Sequence, residues 1–149
     1  MKTSFKCLLV DDQPFVRSIL KEMLFQMGYF STIEEAVDGQ DAWEILQQEY
    51  FDLIICDVDM PRLNGIELLK RCYEADSMNT AFIIITGFPS EEVVQAALAS
   101  GAKSLLGKPF SFSLLKENVE SILGLNDRSD RSEKEELQYI PMETAMCPG

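Results

Sequence analysis

Leu53-Ile54-Ile55-Cys56-Asp57 decides how this chain is read: four apolar residues in succession, then a carboxylate. An apolar run that short, bounded by turn residues, reads as a strand buried on both faces, and such strands belong to parallel sheets. Three other stretches follow the same plan. Phe5-Lys6-Cys7-Leu8-Leu9-Val10 leads into Asp11 and Asp12, Ala81-Phe82-Ile83-Ile84-Ile85 into Thr86, and Ser104-Leu105-Leu106 stops just short of Lys108. Ligands of open parallel sheets gather at the carboxyl ends of the strands. Acid, hydroxyl and ammonium are therefore expected to meet along one edge.

The segments between the runs have helical spacing. Phe15, Val16, Ile19, Leu20, Met23, Leu24 and Met27 follow Pro14 and close at Gly28, with Asp12 placed to cap them. Ser31 to Ala36, carrying Glu34 and Glu35, reads as an edge strand, since charge on an edge discourages pairing with other chains. Asp38-Gly39 opens a helix through Trp43 and Leu46, Asn64-Gly65 one through Leu69 and Tyr73, Ser90 one ending near Gly101, and a last helix after Pro109 carries Leu114 to Leu123. Five strands alternating with five helices give an α/β fold with helices on both faces of the sheet. Residues 1–124 form one domain on this reading, and 125–149 a polar tail or linker. Within the tail, Ser132 and Glu135 have capping-box spacing for a short helix to Tyr139, the alternative being a frayed, solvated end.

Composition narrows the chemistry. With 149 residues, 46% of them hydrophobic, the chain can bury a full core, and no apolar stretch nears the ~18 residues of a membrane span. A net charge of −12 argues against direct contact with nucleic acid. Histidine is absent and the four cysteines form no Cys-x-x-Cys pair, which disfavours zinc, haem and Ser-His or Cys-His nucleophiles. Cys7 and Cys56 read as small core residues, and a reducing cytoplasm is the expected setting.

Carboxylates crowded into one pocket raise one another's pKa unless a cation neutralises them. Magnesium suits Asp11, Asp12 and Asp57 together with a backbone carbonyl, because it takes oxygen ligands and leaves room for phosphate. Lys108 and the Thr86 hydroxyl then serve the oxygens of an incoming phosphoryl group, and Gly87 lets the backbone approach it. Asp57 is the carboxylate left to attack phosphorus.

These residues carry a resemblance. Leu8-Leu9-Val10-Asp11-Asp12, Ala36-Val37-Asp38-Gly39, Asp57-Val58-Asp59-Met60-Pro61 with Asn64-Gly65, Ile85-Thr86-Gly87, Gly101-Ala102 and Lys108-Pro109-Phe110 resemble, in this order, the receiver domain of bacterial response regulators. The resemblance implies a flavodoxin-like sheet of order 2-1-3-4-5. It also implies a histidine kinase or histidine phosphotransfer protein as phosphoryl donor to Asp57, and Mg²⁺ as cofactor. A cis peptide before Pro109, a downstream protein partner and a homodimer through the fourth helix, fifth strand and fifth helix are further family traits. Such a chain is a phosphoacceptor with slow self-dephosphorylation, not a turnover enzyme.

Two departures stand out. The family's switch pairs the threonine with an aromatic residue at the position of Leu105 here, so a ring-flip readout is not expected. Asp59 and Phe88 occupy the positions that tune phosphoryl lifetime, and a bulky Phe88 favours slow hydrolysis. Asp57-Val58-Asp59 also has the Asp-x-Asp form of haloacid-dehalogenase-type phosphatases, but in that family the motif sits on the first strand. A pseudo-receiver that docks without phosphorylation is the other rival, although neither the central Asp nor the Lys is missing.

Overall fold

The computed structural model describes residues 4–75 and 80–125, and the backbone of 138–140. The strands are β1 (Phe5–Val10), β2 (Phe30–Ala36), β3 (Leu53–Asp57), β4 (Ala81–Thr86) and β5 (Ser104–Gly107). Between and after them run α1 (Pro14–Met27), α2 (Gly39–Leu46), α3 (Gly65–Glu74), α4 (Glu91–Ser100) and α5 (Phe112–Leu123). All strand pairs are parallel, in the order β2-β1-β3-β4-β5 expected for a flavodoxin-like sheet.

Alternate residues of β1, β3, β4 and β5 feed two separate cores, which is why these runs are predominantly apolar. Leu8, Val10, Ile54, Cys56, Ile84 and Leu105 pack with Ala42 of α2, Leu68 and Cys72 of α3 and Ala97 of α4. Cys7, Leu9, Ile55, Ile83, Ile85 and Leu106 face the other way, onto Leu20 and Leu24 of α1 and Leu115 and Val119 of α5. Cys7 and Cys56 have no exposed surface, as expected of core residues. No helix among the described residues is long and apolar enough to cross a membrane.

The helix starts follow local chemistry. Asp38, Ser90 and Ser111 each accept a backbone N–H from the first turn of the helix they precede, and Asn64 forms a reciprocal capping box with Glu67. The expected cap of α1 does not form. Pro14 takes the first helical position, which makes Gln13 the N-cap and leaves Asp12 outside the helix and exposed. At the other end, Gly28 adopts φ 81°, a left-handed value that closes α1 as expected.

Beyond the expected five strands lies a sixth, β6 (Gln138–Ile140), paired in parallel with β5. Gln138 and Tyr139 are therefore extended and not the end of a helix, because their backbone joins the sheet ladder. Residues 132–137 of the expected helix lie outside the described residues.

Candidate functional site

Asp57 and Thr86 are themselves the last residues of β3 and β4, and Asp11 follows β1 directly. Parallel pairing of β1, β3, β4 and β5 then brings these ends together. Asp11 is fully buried and held from three sides. Its N–H donates to the Ala36 carbonyl at 3.2 Å, its Oδ1 accepts the Gln13 N–H at 2.9 Å, and its Oδ2 lies 3.3 Å from Lys108 Nζ. Lys108 also reaches Asp57 Oδ1 at 3.5 Å, so one ammonium bridges two carboxylates. The Lys108–Pro109 peptide is cis, as the resemblance implied.

Carboxylate oxygens of Asp11, Asp12 and Asp57 lie within 4.8 Å of one another. Three acids against one lysine leave an excess of negative charge, and the donors are all oxygen. That set fits a hard divalent cation and gives a soft one no nitrogen or sulfur ligand. Asp59 is exposed beside this cluster.

Burial pushes the Asp57 carboxyl up to about 6 against the lowering pull of Lys108, with Asp11 and Asp59 adding to the rise. A carboxyl raised on folding is costly when charged, so this cost is present above pH 6 and fades as pH falls through that value. With metal chelated, the melting temperature of the wild type is expected to rise by roughly 5 °C between about pH 7.5 and about pH 5, while that of D57N changes much less. Calorimetry on both proteins checks this. Glu35 and Asp38, held low by ion pairs, have the opposite sign and lose their contribution only at more acidic pH.

Thr86 is buried, and its Oγ1 accepts the Phe88 N–H at 3.1 Å. Its carbonyl accepts the Lys108 N–H at 2.7 Å, which ties the loops after β4 and β5 together. At Gly87 nothing lies within 4 Å of where a Cβ would stand, so that flank of the loop is open. Phe88 is 79% exposed at the rim, and Leu105 is fully buried in the core under α4.

Two arginines that were not anticipated support the site. Arg17 of α1, its side chain only 12% exposed, donates from Nη1 to the Asp11 carbonyl at 2.7 Å and from Nε to Glu35 Oε1 at 2.8 Å. Arg62, at φ 72°, sends Nε and Nη2 to the two carboxylate oxygens of Asp38 at 2.8 and 3.1 Å. The first fixes the backbone of the acidic pair, and the second joins the loop after Asp57 to the start of α2. Neither was legible as a site residue: Arg17 has the helical spacing of any surface cation, and only folding brings Asp38 to Arg62. A recess of about 470 Å³ near the carboxyl end of α2, lined by Trp43, Tyr50, Phe51 and Cys72, lies away from this cluster.

Comparison with known proteins agrees with the geometry. Residues 7–120 match the family model of the response regulator receiver domain. The chain is 37% identical over 125 residues to chemotaxis protein CheY1 of Helicobacter pylori, covering 82% of this chain and 99% of that one. It is 35% identical over 120 residues to the probable chemotaxis protein CheY of Rhizobium etli, covering 80% and 92%. Among solved structures, Vibrio cholerae CheY4 superposes with a TM-score of 0.73 at 33% identity, over 80% of this chain and 99% of that one. The CheX-CheY-BeF3-Mg complex of Borrelia burgdorferi gives a TM-score of 0.73 at 30% identity, over 80% and 89%. With its strand order, its acidic edge and these relatives, the chain belongs to the response regulator receiver domain family, the phosphoacceptor switches of two-component signalling.

Proposed function

We propose that Asp57 is the phosphoacceptor, with Asp11, Asp12, Asp57 and the Asp59 carbonyl holding Mg²⁺ and Lys108, Thr86 and the Gly87 backbone meeting the transferred group. The observation that carries this reading is the bridging of Asp11 and Asp57 by Lys108 beside a third carboxylate. A carboxylate oxygen of Asp57 attacks phosphorus in line, and the bond to the leaving group breaks. From a phosphohistidine donor the leaving group is an imidazole, which departs with a proton, and Asp57 becomes an acyl phosphate. Bound Mg²⁺ supplies charge neutralisation for the phosphoryl oxygens.

Lys108 is placed to exchange its contact with Asp57 for one with a phosphoryl oxygen, and the Thr86 hydroxyl to donate to another. The donor is a histidine kinase or histidine phosphotransfer protein, and the readout is a protein partner that prefers the phosphorylated state. The Borrelia relative bound to CheX with BeF3 and Mg supports a reading of this kind. Incubation with acetyl phosphate and magnesium, followed by intact-mass measurement, is expected to show one added phosphoryl group per chain. An unchanged mass would refute the proposal, and turnover of p-nitrophenyl phosphate would favour the phosphatase reading.

Phe88 sets the lifetime on this view, because a ring at the rim restricts water on its way to the acyl phosphate. F88A is expected to lose labelled phosphate about threefold to tenfold faster than the wild type, corresponding to roughly 1 kcal/mol of barrier. Equal half-lives would leave Phe88 without that role.

A further inference from the structure

We propose that β6 is a guard strand for the sheet, with the chain's own Gln138–Ile140 occupying the edge of β5 that would otherwise pair with another chain. The two edges of the five-stranded sheet are unlike. On β2, Ser31, Thr32, Glu34 and Glu35 make the edge polar and charged, and Arg17 and Lys21 pair with Glu35. Charge of that kind protects an edge by itself.

The β5 edge has no such protection. Ser104-Leu105-Leu106-Gly107 carries no charged side chain, and all four residues are buried. An uncharged edge presents its free N–H and C=O groups as a template for a further strand. In this chain that place is taken, with Ser104, Leu105 and Leu106 in register with Gln138, Tyr139 and Ile140. Parallel pairing needs a crossover of a dozen or more residues, and α5 with the segment after it provides one. The match to the receiver family ends at residue 120. The guard is thus an addition to the matched domain, and it takes the edge that a homodimer through α4, β5 and α5 would use.

The test compares the full chain with a variant carrying Y139P and I140P, since proline cannot donate to a ladder. Amide exchange is measured by NMR at Leu105, whose N–H faces β6, and at Leu106, whose N–H faces β4 and serves as the internal control, and molecular mass by sedimentation over a range of concentrations. The wild type is expected to be monomeric, with both amides protected. In the variant, dilute samples are expected to exchange the Leu105 amide at least about tenfold faster while Leu106 stays protected, and concentrated samples to dimerise reversibly. Equal exchange rates in the two proteins, or a variant that stays monomeric, would overturn the proposal. So would a wild type that is dimeric and loses β5 protection on dilution, because a second copy would then supply the strand. Loss of protection in β1 and β3 as well would show β6 to be part of the core, and would equally refute a guard. None of these outcomes depends on phosphorylation of Asp57.

Discussion

D57N is expected to take up no phosphate from acetyl phosphate or from any donor kinase, a fall of roughly 10³-fold or more against the wild type. An amide has the shape of the carboxylate but not its charge, and its oxygen is too weak a nucleophile to displace a phosphoryl leaving group. The substitution has little to disturb sterically. Asp57 is only 5% exposed at the end of β3, and asparagine fills the same volume. Electrostatically it relieves the site, because burial of the charged Asp57 costs more than its contact with Lys108 returns, and Asp11 and Asp59 add like charge. Loss of phosphorylation should therefore accompany a protein that is folded and, without metal, more stable than the wild type. Labelled phosphotransfer with a melting curve on the same sample checks both halves. Retention of label by D57N would move the acceptor elsewhere, whatever its stability.

G65A is the second large effect, and here stability is what falls. A Cβ on Gly65 would enter the van der Waals shell of the Asp57 main-chain carbonyl oxygen and come 3.0 Å from Cys56 Sγ. The carbonyl belongs to β3, in the middle of the sheet, so it cannot give way as a flexible side chain could. Instead α3 must move off the strand that carries Asp57, breaking the Gly65 N–H bond to the Val58 carbonyl at 3.1 Å. Overpacking against backbone is expected to cost about 3 kcal/mol, or on the order of 10 °C in melting temperature. Magnesium binding should weaken as well, since Asp59 lies in the loop that joins β3 to the displaced helix. G87A provides the contrast: with nothing within 4 Å of the added carbon, its melting temperature should stay near that of the wild type.

How far the sequence alone reaches can be seen in particular residues. β1, β3, β4 and β5 were legible because each is buried on both faces, which leaves an apolar run and puts a polar residue where that run stops. Asp11, Asp57 and Thr86 were found by that rule, and they are among the few buried polar residues of the domain. Asp12 was misread as a cap because Pro14, one residue further than the pattern required, starts the helix itself and transfers the cap to Gln13. Freed from the helix, Asp12 joins the acidic cluster. Arg17 could not be seen, since its partners are a carbonyl six residues back and a carboxylate on the neighbouring strand. The register of β6 depends on an edge that exists only after β5 has joined the sheet. Tertiary pairing of this kind leaves no local periodicity to read.

The three buried thiols have a practical consequence. Cys7 and Cys56 are shielded completely and Cys72 nearly so, and burial raises all three above the ordinary thiol range. Alkylating reagents meet thiolate only, so these sulfurs stay silent until the surrounding layers part. Because Cys7 and Cys56 face opposite sides of the sheet, their labelling rates time the separate opening of the two helical layers, a pair of stopwatches already built into the chain.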